Sequence, residues 1–108
     1  MQVHSFLGNG FQEVIYQRAF AIELSKAGLD YQRELEVPIF YKEYVDPIGT
    51  RRVDFLVENK VLVELKAIAL LDNIHINQVL NYLKAYKIEI GVLINFGENS
   101  LKFKRLIL

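Results

Sequence analysis

The stretch Arg52-Val-Asp54-Phe-Leu-Val57-Glu-Asn-Lys60-Val-Leu-Val63-Glu64-Leu-Lys66-Ala67 carries two alternating patterns separated by three polar residues. Val53, Phe55 and Val57 alternate with Arg52, Asp54 and Leu56. Val61, Val63, Leu65 and Ala67 alternate with Leu62, Glu64 and Lys66. A period of two marks strands, so the stretch reads as a β-hairpin. Strand side chains alternate between faces, and the loop length decides which residues share one. A single core buries both odd-numbered sets only if odd pairs with odd, which requires a loop of odd length. A Glu58-Asn59-Lys60 loop sets Val57 opposite Val61, with Asn59 suited to a left-handed backbone. The same register sets Asp54 opposite Glu64, with Lys66 on their face. An even loop would put the two acids on opposite faces.

Two carboxylates at cross-strand distance repel unless something compensates them. Lys66 compensates in part. A divalent cation does so better, because Mg²⁺ accepts oxygen ligands from one or two carboxylates and keeps several waters. Such an ion polarises a phosphoryl oxygen and activates a water. Lys66 could then orient that water or stabilise developing negative charge. The competing reading makes Glu64 and Lys66 ordinary surface residues of a solvated sheet. Their place inside the apolar run Val61–Leu71 counts against it.

Outward from the hairpin, a first helix is expected from about Phe11 to Ala27. Phe11, Ile15 and Ile22 form one stripe, Tyr16, Phe20, Leu24 and Ala27 a neighbouring one, and Gly28 a stop. Glu36–Lys42 reads as a strand with Pro38 at its edge or end, and Tyr44–Thr50 as a loop. Asp72 is an N-cap for a second helix, about Asn73 to Lys87, with Ile76, Leu80 and Leu83 facing a core. Ile90-Gly-Val-Leu-Ile94 is wholly apolar, as expected of a parallel strand buried on both faces. Gly97–Ser100 turns the chain into a last strand, Leu101–Leu108. This order predicts an α/β fold, a mixed central sheet with helices packed on it and one βαβ crossover.

Further polar residues sit on apolar stripes. Glu13 shares the helix face of Tyr16, Phe20 and Leu24. It is either a first-turn acid favoured by the helix dipole or a third carboxylate for the site. His75, Gln78 and Tyr82 form a polar-aromatic stripe on the second helix, which an ordinary amphipathic boundary with His75 capping the first turn also explains.

Asp54 followed by Glu64-Leu65-Lys66 resembles the PD-(D/E)XK nuclease superfamily, and the element order resembles its restriction-endonuclease-like αβββαβ core. Gln78-Val-Leu-Asn-Tyr82 is similar to the QxxxY motif of the RecB-like branch. More narrowly, Gly10-Phe-Gln-Glu13-Val-Ile-Tyr16, Arg52-Val-Asp54, Val63-Glu64-Leu-Lys66-Ala, His75-Ile-Asn-Gln78-Val-Leu-Asn-Tyr82 and Gly91-Val-Leu-Ile-Asn95-Phe96-Gly97 resemble the bacterial GxxExxY family. The resemblance implies that Asp54, Glu64 and the Leu65 carbonyl hold Mg²⁺ (or Mn²⁺), and that Lys66 assists the attacking water. It implies Glu13 as a supporting acid, and Gln78 and Tyr82 as substrate-positioning or bracing residues. Arg52 is the expected phosphate contact, with Lys102 and Lys104 as lesser candidates. Val53 stands where the superfamily name has Pro. Members of the narrow family carry a longer helix before the Val3-His4 region; that helix is expected to be nearly absent here, as in a shortened fragment or alternative start.

The 108 residues fit one domain, 1–108. With no Cys, disulfide frameworks and Cys-ligated zinc sites are excluded. No apolar run reaches membrane-spanning length and no signal-peptide pattern opens the chain, so a soluble cytoplasmic protein is expected. Thirteen basic and thirteen acidic residues cancel, which argues against binding nucleic acid by bulk charge. Three of those acids fall in the proposed metal site, where a cation would offset them. The expectation is a metal-dependent nuclease acting on DNA with weak intrinsic affinity, aided by homodimerisation or a partner. The alternative is a non-catalytic binding or assembly module on the same fold.

Overall fold

The computed structural model describes residues 2–108. Its elements run α1 (Gln2–Leu7), α2 (Glu13–Lys26), β1 (Tyr31–Ile39), β2 (Gly49–Val57), β3 (Val61–Lys66), α3 (Asn73–Tyr86), β4 (Ile90–Asn95) and β5 (Lys102–Ile107). The five strands form one sheet in the order β1-β2-β3-β4-β5, with β3 and β4 parallel and every other pair antiparallel. This is the expected mixed α/β sheet, with α3 as the crossover between its two parallel strands.

The hairpin register follows from its turn. Val57 pairs with Val61, and both Glu58 and Asn59 adopt the left-handed backbone, at φ 54° and 55°. Tyr16, Phe20, Ala21 and Leu24 of α2 cover one sheet face, packing on Phe55, Val57, Val63 and Leu65. Val79, Tyr82 and Leu83 of α3 cover the other, packing on Val37, Leu62 and Leu93. A sheet buried on both sides explains why the apolar runs of β3 and β4 are nearly continuous. Gly91 lets α3 approach β4: a Cβ there would lie 2.9 Å from Val79.

The structure revises several expectations. Val53 leaves the odd-numbered set and packs in the α3 layer, while Phe55 packs in the α2 layer. Residues two apart therefore face opposite sides, and the alternation breaks at Asp54. Directly across from it the β1–β2 ladder skips Glu34, whose backbone turns to φ 54°. The first sheet strand starts at Tyr31 rather than Glu36, because Tyr31 packs edge-on against Phe55 at 5.7 Å and pairs with Val57. It ends at Ile39, short of Lys42, which turns to φ 50°. On α2 the Tyr16 stripe is the core, whereas Phe11 and Ile22 are exposed. On α3 the fully buried positions are Val79, Tyr82 and Leu83, with Ile76 and Leu80 at their margin. The residues before Phe11 do contain a helix, the short α1, which buries Val3.

Candidate active site at the split between two strands

The β2–β3 ladder stops at Phe55↔Val63. Asp54 and Glu64 are consequently not a regular cross-strand pair, as the register alone predicts, and their side chains fill the gap between the parted strands. The Asp54 N–H donates to Glu64 Oε1 at 3.0 Å, and the Leu65 N–H donates to Asp54 Oδ2 at 2.7 Å. Each carboxylate thus replaces a lost backbone partner, because an unpaired buried N–H is costly. On a strand the N–H and C=O of one residue point to the same edge. The Leu65 carbonyl therefore faces the same gap, while Lys66 O is committed to the Phe96 N–H on the β4 side.

Around this pair the helices add further groups. Gln17 of α2 donates to Asp54 Oδ1 at 2.7 Å and accepts from Arg33 Nη2 at 3.3 Å. Burial pushes the Asp54 carboxyl well above the ordinary carboxylate range, and the Glu13 charge raises it further, against lowering by the Leu65 N–H and Lys66. Glu64 is 5% exposed. Its carboxyl is raised more strongly, first by burial and then by the Asp54 charge, with the Asp54 N–H and Lys66 opposing. Two acids that resist ionising together, beside a carbonyl oxygen, are the hard oxygen donor set that suits a divalent cation. Among the described residues no three His, Cys, Asp or Glu side chains converge tightly enough to hold a metal by themselves. A cation here would rest on two carboxylates, the carbonyl and water.

The remaining candidates divide. Glu13 opens α2 in its first turn and its charge acts on both acids. Tyr82 is buried on α3, with its phenol pKa raised by desolvation and then by the Glu64 charge, and Gln78, one turn before it, lines the same cleft. His75 caps its helix: its Nδ1 accepts from the Asp72 N–H at 3.3 Å, while Asp72 Oδ1 accepts from the Ile74 N–H. Arg52 is exposed and pairs in register with Glu36. Its neighbour Arg51 is the arginine that shares a cleft with Gln78 and Tyr82. Lys102 and Lys104 are exposed on β5, with β4 between that strand and β3. Sequence reasoning passed over Gln17, Arg33 and Arg51. Gln17 and Arg33 carry no motif, and nothing local in Arg51-Arg52 singles out Arg51.

Tyr16 and Gly97 have architectural roles. Tyr16 is fully buried, donates to the Gly8 carbonyl at 2.5 Å and stacks on Phe96 at 4.5 Å. Gly97 is a glycine because a Cβ would lie 2.2 Å from the Ile68 carbonyl oxygen.

Comparison with known proteins fits this geometry. The chain is similar in fold to a solved structure described as "Crystal structure of SSO0001", with a TM-score of 0.63 and 14% identity over 86% of the chain. The chain spans about half of that protein, 48% of its length. No curated protein matches. A sequence model of the PD-(D/E)XK nuclease superfamily matches residues 1–106, nearly the full length. With two acids and a lysine at the split of its central hairpin and that match across its length, the chain belongs to the PD-(D/E)XK nuclease superfamily.

Proposed function

We propose that the protein is a metal-dependent nuclease that hydrolyses phosphodiester bonds in DNA. The observation that carries this reading is the interlocked pair at the strand split: Asp54 and Glu64, each bonded to a backbone N–H at or beside the other, with Lys66 close enough to lower both pKa values. Asp54, Glu64 and the Leu65 carbonyl would hold Mg²⁺ or Mn²⁺. A bound divalent ion supplies Lewis acidity toward a phosphoryl oxygen and a more acidic water. Lys66 orients the attacking water and stabilises negative charge developing on the phosphoryl group. Gln17 fixes the Asp54 carboxylate through Oδ1, and Glu13 adds negative charge that reaches the site directly or through water. Tyr82 and Gln78 close the α3 side, and Arg51, which shares their cleft, takes the phosphate contact in place of Arg52.

No helix is long and apolar enough to cross a membrane. A homodimer in the cytoplasm completes the proposal, since 108 residues offer little surface with which to grip nucleic acid. One observation favours the second reading, a non-catalytic module: both Asp54 oxygens already accept hydrogen bonds within the protein.

Cleavage separates the two. Purified protein with Mg²⁺ or Mn²⁺ should cut DNA, and Glu64→Ala and Lys66→Ala should each lower the rate at least about 100-fold, the scale lost with a transition-state charge contact. Cutting that survives Glu64→Ala overturns the assignment.

A further inference from the structure

We propose that the cleft between α3 and the β1–β2 hairpin binds unpaired nucleotides, so that the substrate reaches the acids as a single strand. This deepens the nuclease reading and rests on it. The cleft has a volume of about 770 Å³. Tyr82 joins it to the candidate site, since this residue lines the cleft and packs in one core layer with Val53, next to Asp54, and Leu62, two residues before Glu64.

The lining chemistry identifies the occupant. The chain as a whole has as many acids as bases, yet no Asp or Glu lines the cleft, while Arg51 and Lys84 do. That is a surface suited to a phosphodiester backbone, but two cations are far too few for the many phosphate contacts by which proteins hold duplexes. Asn77 and Asn81 stand four apart on α3, one helical turn, and present amides to the same space. An amide offers both donor and acceptor, the complement of a base edge. Phe40 lines the opposite wall and is 54% exposed, a ring face available for stacking. Base edges and base faces are both free only in an unpaired strand, which proteins grip by aromatic stacking and edge contacts.

Binding without metal tests this independently of cleavage. Fluorescence anisotropy in EDTA, on the full chain, would compare a labelled 15-nucleotide DNA strand, the RNA strand of the same sequence, and the DNA duplex. At least one single strand should bind about fivefold or more tighter than the duplex, and Phe40→Ala and Asn81→Ala should each weaken that binding about 5- to 20-fold, the range of one lost stacking or edge contact. Arg51→Ala should weaken single strand and duplex alike and lower the salt slope by about one. All three side chains are exposed, and circular dichroism checks that the variants fold. The ratio of DNA to RNA affinity tells which sugar is preferred. Equal or tighter binding of duplex, or single-strand binding indifferent to both Phe40→Ala and Asn81→Ala, overturns the inference. Strand preference without any metal-dependent cutting would refute the nuclease reading alone, and cutting without strand preference would refute this inference alone.

Discussion

Among the described residues, Glu64 and Asn95 are the buried side chains that are neither aliphatic nor aromatic, at 5% and 0% exposure, and they lie one strand apart. They answer burial in opposite ways. Asn95 spends its whole hydrogen-bonding capacity: Oδ1 accepts from the Ile68 and Gly97 N–H groups, and Nδ2 donates to the Ile68 carbonyl and to Glu98 Oε2, all between 2.8 and 3.1 Å. It ties the end of β3 to the end of β4 where the parallel ladder finishes. Glu64 receives one backbone N–H and faces a second acid, so its negative form is held at a disadvantage. A fully satisfied buried amide locks a fold, whereas an under-compensated buried carboxylate stores a demand for a proton or a cation. Burial of polarity alone does not mark a functional residue; unbalanced burial does.

Asn95→Leu offers the largest break in this contrast. It strands the N–H groups of Ile68 and Gly97 and the Ile68 carbonyl, and should cost about 3 kcal/mol at the usual 1–3 kcal/mol per unsatisfied buried group. Thermal unfolding should register a fall of more than about 10 °C for a domain of this size. A shift under about 2 °C would mean that water replaces the amide and that Asn95 is not the lock described.

The acid pair should behave in the reverse sense. Folding raises the carboxyl of Asp54 from 3.8 to about 6 and that of Glu64 from 4.5 to about 8, so between these limits the folded chain binds more protons than the unfolded one. The stability that these two groups give the metal-free protein is therefore fully present below about pH 3.8 and is lost as pH rises toward 8. Glu64→Gln should flatten that slope and raise the melting temperature at pH 8 by several degrees. Mn²⁺ should stabilise the parent protein there and not the variant, because a ligand stabilises only the state it binds. A parent protein indifferent to pH and to Mn²⁺ would remove the distinction between the two buried residues.

The smallest expected effect concerns Gln17. Gln17→Leu removes the donor to Asp54 Oδ1 but leaves the Leu65 N–H on Oδ2. Cleavage should fall about 3- to 10-fold in kcat, the scale of one orienting hydrogen bond near 1 kcal/mol, with little change in KM. A loss as large as that of Glu64→Ala would make Gln17 part of the chemistry rather than a support for Asp54.

Much of this arrangement was legible without coordinates, for an identifiable reason. The parity of Val57 and Val61 across three turn residues constrains the hairpin, since one slip would turn its apolar set to the wrong face. That constraint carries Asp54, Glu64 and Lys66 toward one another whatever surrounds them. The all-apolar Ile90–Ile94 and the Asp72 cap were equally local signals. Parity failed at Val53, because the chain kinks where Glu34 and the β1–β2 ladder part, and nothing in Arg51-Arg52 says which arginine follows the kink. Gln17 lies 37 residues from Asp54 and Arg33 lies 16 from Gln17, so neither carries a short-range pattern. Alternation and capping act between neighbours and are written in the chain. The split of the β2–β3 ladder, the raised carboxyls and the acid-free cleft arise from the packing of α2 and α3 on opposite faces of the sheet, where burial and charge add up over residues distant in sequence.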